Sequence, residues 1–190
     1  MRFAPLAAFS VLALASLAGC GGGGSTPPEA AWVVSMIQSD PTQCMIADNT
    51  RSIGAVSNSK ITTPEISGTT DGQLGTVTVQ CTVSGTSSFS VDAQASAGPD
   101  SLHITIPSID ASASMSSPAT GNISYESDAT ADNFYQGDCN FYFEQSMGVA
   151  VAAGRIWVAF QCPMLMSGLS TCPVDQGYAV FEDCLTEPMM

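Results

Sequence analysis

Thr76-Val77-Thr78-Val79-Gln80-Cys81-Thr82-Val83 decides the fold class. Valine and cysteine hold the odd positions, threonine and glutamine the even ones, and a period of two marks a strand with one buried face. The pattern repeats outward from there. Phe89, Val91, Ala93 and Ala95 alternate with polar residues, as do Leu102, Ile104 and Ile106, while Ile123 and Tyr125 mark a shorter strand. Ser84-Gly85-Thr86 and Ala97-Gly98-Pro99-Asp100 supply turn chemistry between them. Residues 139–145 and 156–162 form a further pair, and 178–185 closes the chain. Trp32-Val33-Val34-Ser35-Met36-Ile37 is compatible with a first strand or a short helix before Asp40-Pro41 breaks it. Short strands separated by frequent turns, with no long helix and no repeat, predict an all-β antiparallel β-sandwich of about 7–9 strands.

The later hairpin carries its own register. Placing Cys139 opposite Cys162 sets Phe141 opposite Phe160 and Phe143 opposite Val158. The other face then pairs Tyr142 with Ala159 and Glu144 with Trp157. One face is wholly apolar and sulfur, as a core-facing hairpin requires. Six cysteines follow Cys20: Cys44, Cys81, Cys139, Cys162, Cys172 and Cys184. An even set in an exported chain predicts three disulfides. The hairpin favours Cys139–Cys162, which leaves Cys172–Cys184 around a glycine-containing turn and Cys44–Cys81. Cys81–Cys162 with Cys44–Cys139 is the rival scheme. A single histidine and no Cys-x-x-Cys argue against zinc and thioredoxin-like redox chemistry.

The export reading comes from the N-terminus. Arg2 precedes an apolar run from Leu6 to Ala18, and Leu17-Ala18-Gly19-Cys20 ends it. The run is too short to span a bilayer comfortably and has the layout of a secretory signal. Leu-Ala-Gly-Cys resembles the lipobox of bacterial lipoproteins at all four positions. The resemblance implies cleavage between Gly19 and Cys20, a diacylglyceryl thioether on Cys20, and acylation of the new amino terminus with a chain such as palmitate. Two or more acyl chains hold a protein stably on a membrane. Residues 1–19 are then the signal peptide and 20–30 the lipidated cysteine and its tether. Gly21-Gly22-Gly23-Gly24-Ser25-Thr26-Pro27-Pro28 cannot bury a core. Residues 31–190 form a single domain of ordinary size. Gly21 is not the aspartate that directs enteric lipoproteins to the inner membrane, so the resemblance places the anchor in the outer membrane, facing either the periplasm or the surface.

Charge narrows the partners. The chain has 17 acidic residues against 4 basic ones, a net charge of −13, and loss of Arg2 makes it more negative still. Such a surface repels phosphate backbones, which excludes nucleic acid as a partner. Its simplest consequence is solubility.

Few residues suggest chemistry. His103 alternates with the apolar face of its strand and points to solvent or a neighbour on the sheet; no Gly-x-Ser-x-Gly elbow accompanies it. Glu126 with Asp128, and Glu182 with Asp183, are the carboxylate pairs, but adjacent strand residues point to opposite faces. Asp128, Asp132, Asn133 and Asp138 offer oxygen ligands for calcium, without the EF-hand's spacing. Tyr142 and Trp157, with Tyr135 nearby, form either an exposed binding patch or a second small core under the segment holding Trp32.

Gly-Asp-Cys-Asn-Phe-Tyr-Phe at 137–143, Ala-Gly-Arg-Ile-Trp-Val-Ala-Phe-Gln-Cys-Pro at 153–163 and Gly-Tyr-Ala-Val-Phe-Glu-Asp-Cys at 177–184 resemble small lipoproteins of myxobacterial type. That resemblance brings no activity, cofactor or site residue. The expectation is a non-enzymatic, lipid-anchored envelope lipoprotein without a cofactor, attached to the membrane and binding a protein or glycan or serving a structural role. A calcium- or small-ligand-binding surface protein using the 128–138 loop is the alternative, and a hydrolase the remote one.

Overall fold

The computed structural model describes residues 26–57, 60–72, 74–130, 132–144 and 151–187. Every regular element among them is a strand. Nine have five residues or more: β1 (Glu29–Met36), β2 (Asn49–Ile53), β7 (Gly75–Gly85), β8 (Phe89–Ala97), β9 (Asp100–Ile109), β10 (Ala119–Glu126), β11 (Phe134–Tyr142), β13 (Arg155–Ser167) and β14 (Ser170–Glu182). The short ones are β3 (Ala55–Ser57), β4 (Lys60–Thr63), β5 (Glu65–Ile66), β6 (Thr70–Asp71) and β12 (Val151–Ala152). Residues 32–37, open between strand and helix in the sequence, are strand through Met36.

The antiparallel all-β architecture forms with its facing walls drawn from one continuous sheet. Twelve strands join in the order β2-β1-β14-β13-β11-β10-β9-β8-β7-β6, with β12 on β13 and β5 on β1, and the sheet coils until it nearly closes into a barrel. Inward residues from both walls make one core. Trp32 donates its indole N–H to the Ala95 carbonyl at 3.3 Å and meets Tyr125 edge-on, ring centroids 5.9 Å apart. The core is apolar while β7 and β8 turn mainly polar residues outward, the reverse of a strand barrel in lipid. No helix among the described residues is long and apolar enough to cross a membrane.

The barrel is closed by fragments. At one end of β7, the Val77 N–H donates to the Thr69 carbonyl and the Gly68 N–H to the Val77 carbonyl, both at 2.8 Å. Those residues follow β5, which pairs with Glu29 and Ala30 of β1. At the other end, the Leu185 N–H donates to the Cys81 carbonyl at 3.0 Å, the Val83 N–H to the Leu185 carbonyl at 2.8 Å, and the Gly154 N–H to the Val83 carbonyl at 2.9 Å. Leu185 thereby pairs in parallel with Thr82.

The expected 139–162 register holds: Asn140 faces Gln161, Phe141 faces Phe160 and Tyr142 faces Ala159. Cys139–Cys162 forms as expected. The other two bridges correct both sequence-based schemes, being Cys44–Cys172 and Cys81–Cys184. The reason lies in Gly177. Taken as a turn residue, it sits inside β14, so Cys172 lies near the start of one long strand and Cys184 just past its far end. A Cβ on Gly177 would meet the Phe160 ring at 2.2 Å. The glycine is there to admit the ring.

Candidate functional site

The structure disperses the aspartates proposed for calcium. Asp128 pairs with the Arg51 guanidinium, Asp132 is exposed in the loop, and Asp138 lies within β11. Asn133 accepts the Ser124 hydroxyl at 2.9 Å. No three carboxylate, histidine or cysteine side chains among the described residues gather as metal ligands. The sequence placed Asp138 in a loop, but the strand has begun by Phe134 and carries it away from the turn.

Of the two readings of Tyr142 and Trp157, the second small core forms and the exposed patch does not. Both residues share the outer sheet face, yet Tyr142 is 1% exposed and packs with Ala31, Val33, Ala159, Tyr178 and Val180 in a second apolar cluster, with Trp157 half-buried against it. Trp32 belongs to the main core, because its alternate neighbours Ala31 and Val33 point to the outer face. The β4 strand runs against β1 and β14 beside this cluster. The Trp157 indole N–H donates to Glu182 Oε1 at 3.0 Å. The Tyr178 hydroxyl donates to Glu144 Oε1 at 3.0 Å, and burial, then Glu144, push its pKa up to about 12.

A buried polar group missed by the sequence reading lies where the β8–β9 turn meets the segment after β10. Asp100 has no exposed surface. Its Oδ1 accepts the Asp128 N–H at 3.2 Å, while its Oδ2 has no hydrogen-bond partner among the described residues. Desolvation raises the Asp100 pKa and nearby Arg51 opposes the rise.

A concavity with a volume of about 370 Å³ lies over the closure seam. Its floor comes from outward positions of neighbouring strands. Gln80 faces Gln94, Gln94 faces His103, and Thr82 faces Asp92. His103 reaches diagonally to Asp92, Nε2 to Oδ1 at 2.8 Å, the neighbour on the sheet expected from its alternation. Both side chains are well exposed, so the pair orients groups more than it stabilises the fold. Thr26 and Pro28 form one wall, and Asp183 and Leu185 the other. Alternation identifies Gln80, Gln94 and His103 as outward polar residues, but nothing local in the sequence brings both chain ends against them.

The seam adds backbone chemistry. In β7 the odd residues turn their N–H and carbonyl groups toward the seam, as the bonds at Val77 and Val83 demonstrate. Between the Ser67 hydroxyl, which accepts the Val79 N–H at 3.1 Å, and Leu185, no strand among the described residues pairs with β7. The Val79 carbonyl and Cys81 N–H are therefore directed into this gap, where both residues line the groove.

Fold and site together define an all-β domain stapled by disulfides, with a groove of mixed polar and apolar lining where its sheet closes. The chain matches no family model, no curated protein and no solved structure.

Proposed function

We propose that this chain is an exported, lipid-anchored envelope protein of the bacterial outer membrane that acts as a non-enzymatic binding module. The observation carrying the binding role is the seam groove, whose polar floor and backbone gap are held beside the Cys81–Cys184 bridge. Three disulfides favour an oxidising compartment, and the lipobox-like Leu17-Ala18-Gly19-Cys20 supports the anchor. Acyl chains on Cys20 would make the domain a stable membrane resident.

The test of the anchor is Cys20→Ser. In a bacterial host, wild-type protein should incorporate labelled palmitate and fractionate with the outer membrane. The variant should incorporate none and leave the membrane fraction. Equal membrane retention of an unlabelled variant would overturn the lipid anchor.

A further inference from the structure

We infer that the seam groove binds a short extended peptide carrying a positive charge, which supplies one missing residue to the edge of β7. The inference rests on the groove being the binding site and adds the chemistry of its ligand. Leu185 pairs in parallel with Thr82, bonding to the Cys81 carbonyl and the Val83 N–H. Two residues earlier the same register places position 183 opposite Gln80. There its N–H would meet the Val79 carbonyl and its carbonyl the Cys81 N–H. Asp183 does not take that place, because its φ of 54° lies in the left-handed region and turns it out of the ladder.

The vacancy has the shape of one amino-acid residue. It presents an acceptor and a donor at the spacing of a parallel ladder, which an amino acid's N–H and carbonyl satisfy together. Strand addition of this kind draws affinity from main-chain bonds and specificity from side-chain surroundings. The surroundings combine apolar surface from Pro28, Val79, Cys81 and Leu185 with amide and acid groups: Gln80 and Gln94 offer carboxamides, Asp183 carries negative charge, and Asp92 carries it beside His103. Glu29 and Glu182 face each other across β1 and β14 beside Asp183, a like-charge pairing that is unfavourable alone. Asp183, which lines the groove, adds to this crowding at Glu29, and a cationic side chain beside Asp183 offsets that charge.

The test uses the full chain in detergent, isotope-labelled for NMR, with N-acetyl-lysine N-methylamide as probe. Its ester analogue, in which oxygen replaces the lysine N–H, is the comparison, and N-acetylglucosamine the control. The probe should shift the Gln80, Gln94 and His103 resonances and slow Cys81 amide exchange about tenfold or more. The ester should bind about tenfold more weakly, for loss of one buried hydrogen bond. Equal binding of amide and ester, or unchanged Cys81 exchange, overturns strand addition. Shifts with the sugar alone overturn the peptide ligand while the groove stands as a binding site. If neither compound perturbs the groove, both readings fall.

Discussion

Asp100 is the residue where burial and charge conflict most directly. A carboxylate shut off from water, with one oxygen unpartnered, costs free energy that the nearby Arg51 offsets only in part. Because its folded pKa is raised, the native state holds this proton at pH values where the unfolded chain has released it. Stability therefore falls as pH rises from the ordinary carboxylate range through the raised pKa. Asp100→Asn keeps an acceptor for the Asp128 N–H and removes the charge. At pH 7 the variant should be more stable by roughly 1 kcal/mol, a rise in Tm of about 2–4 °C. The gain should shrink on acidification toward pH 4. Melting curves of both proteins across that range check this, and a variant that melts lower at pH 7 would show that the Arg51 attraction dominates. Neither Asp100 nor Gly177 revealed its role in sequence. Asp100 stands in a Gly-Pro turn typical of exposed loops, and Gly177 carries the usual mark of a turn. The neighbours that define both, Arg51 and Phe160, are distant in sequence or meet them only once strands have paired.

Among elements, the strand pairs were legible where alternation and apolar partners agreed. The 139–162 hairpin is the example: only one register puts sulfur and aromatic rings on one face, and that register forms. Alternation also assigned the outward floor of the groove on β7, β8 and β9. It could not show the seam, whose fragments come from residues about 100 positions apart and carry no shared pattern. The Cys81–Cys184 bridge ties these fragments together. Its sequence separation is 103, but with Cys44–Cys172 intact the open loop shrinks to roughly 50 residues, since closure entropy follows the shortest path through the crosslinks. Replacing both Cys81 and Cys184 by alanine should cost about 2–5 kcal/mol. The more telling outcome is location: amide exchange should quicken first at Val83, Gly154 and Leu185, whose bonds close the barrel. Exchange that quickens uniformly would mean the seam is held by the core and not by the bridge.

At the scale of the whole molecule, β14 relates the groove to the proposed anchor. Asp183 follows one end of this strand, and Leu169, 90% exposed, precedes the other. Thirteen residues of strand separate them by roughly 40 Å. β1 is antiparallel to β14 with Glu29 opposite Glu182, so the chain enters the sheet at the Asp183 end. The eight residues between Cys20 and Glu29 extend at most about 30 Å. A domain held through Cys20 therefore keeps the groove near the bilayer and points the Leu169 hairpin away. The acidic surface adds repulsion from anionic headgroups without allowing the domain to leave. This geometry predicts a gradient. In nanodiscs whose lipids carry a gadolinium chelate on the headgroup, the Leu185 methyl signals should broaden strongly and those of Leu169 only weakly. Paramagnetic broadening falls so steeply with distance that even a freely pivoting tether preserves this order. Stronger broadening at Leu169 would mean the domain lies with its far hairpin on the membrane, and a membrane-proximal groove would have to be abandoned.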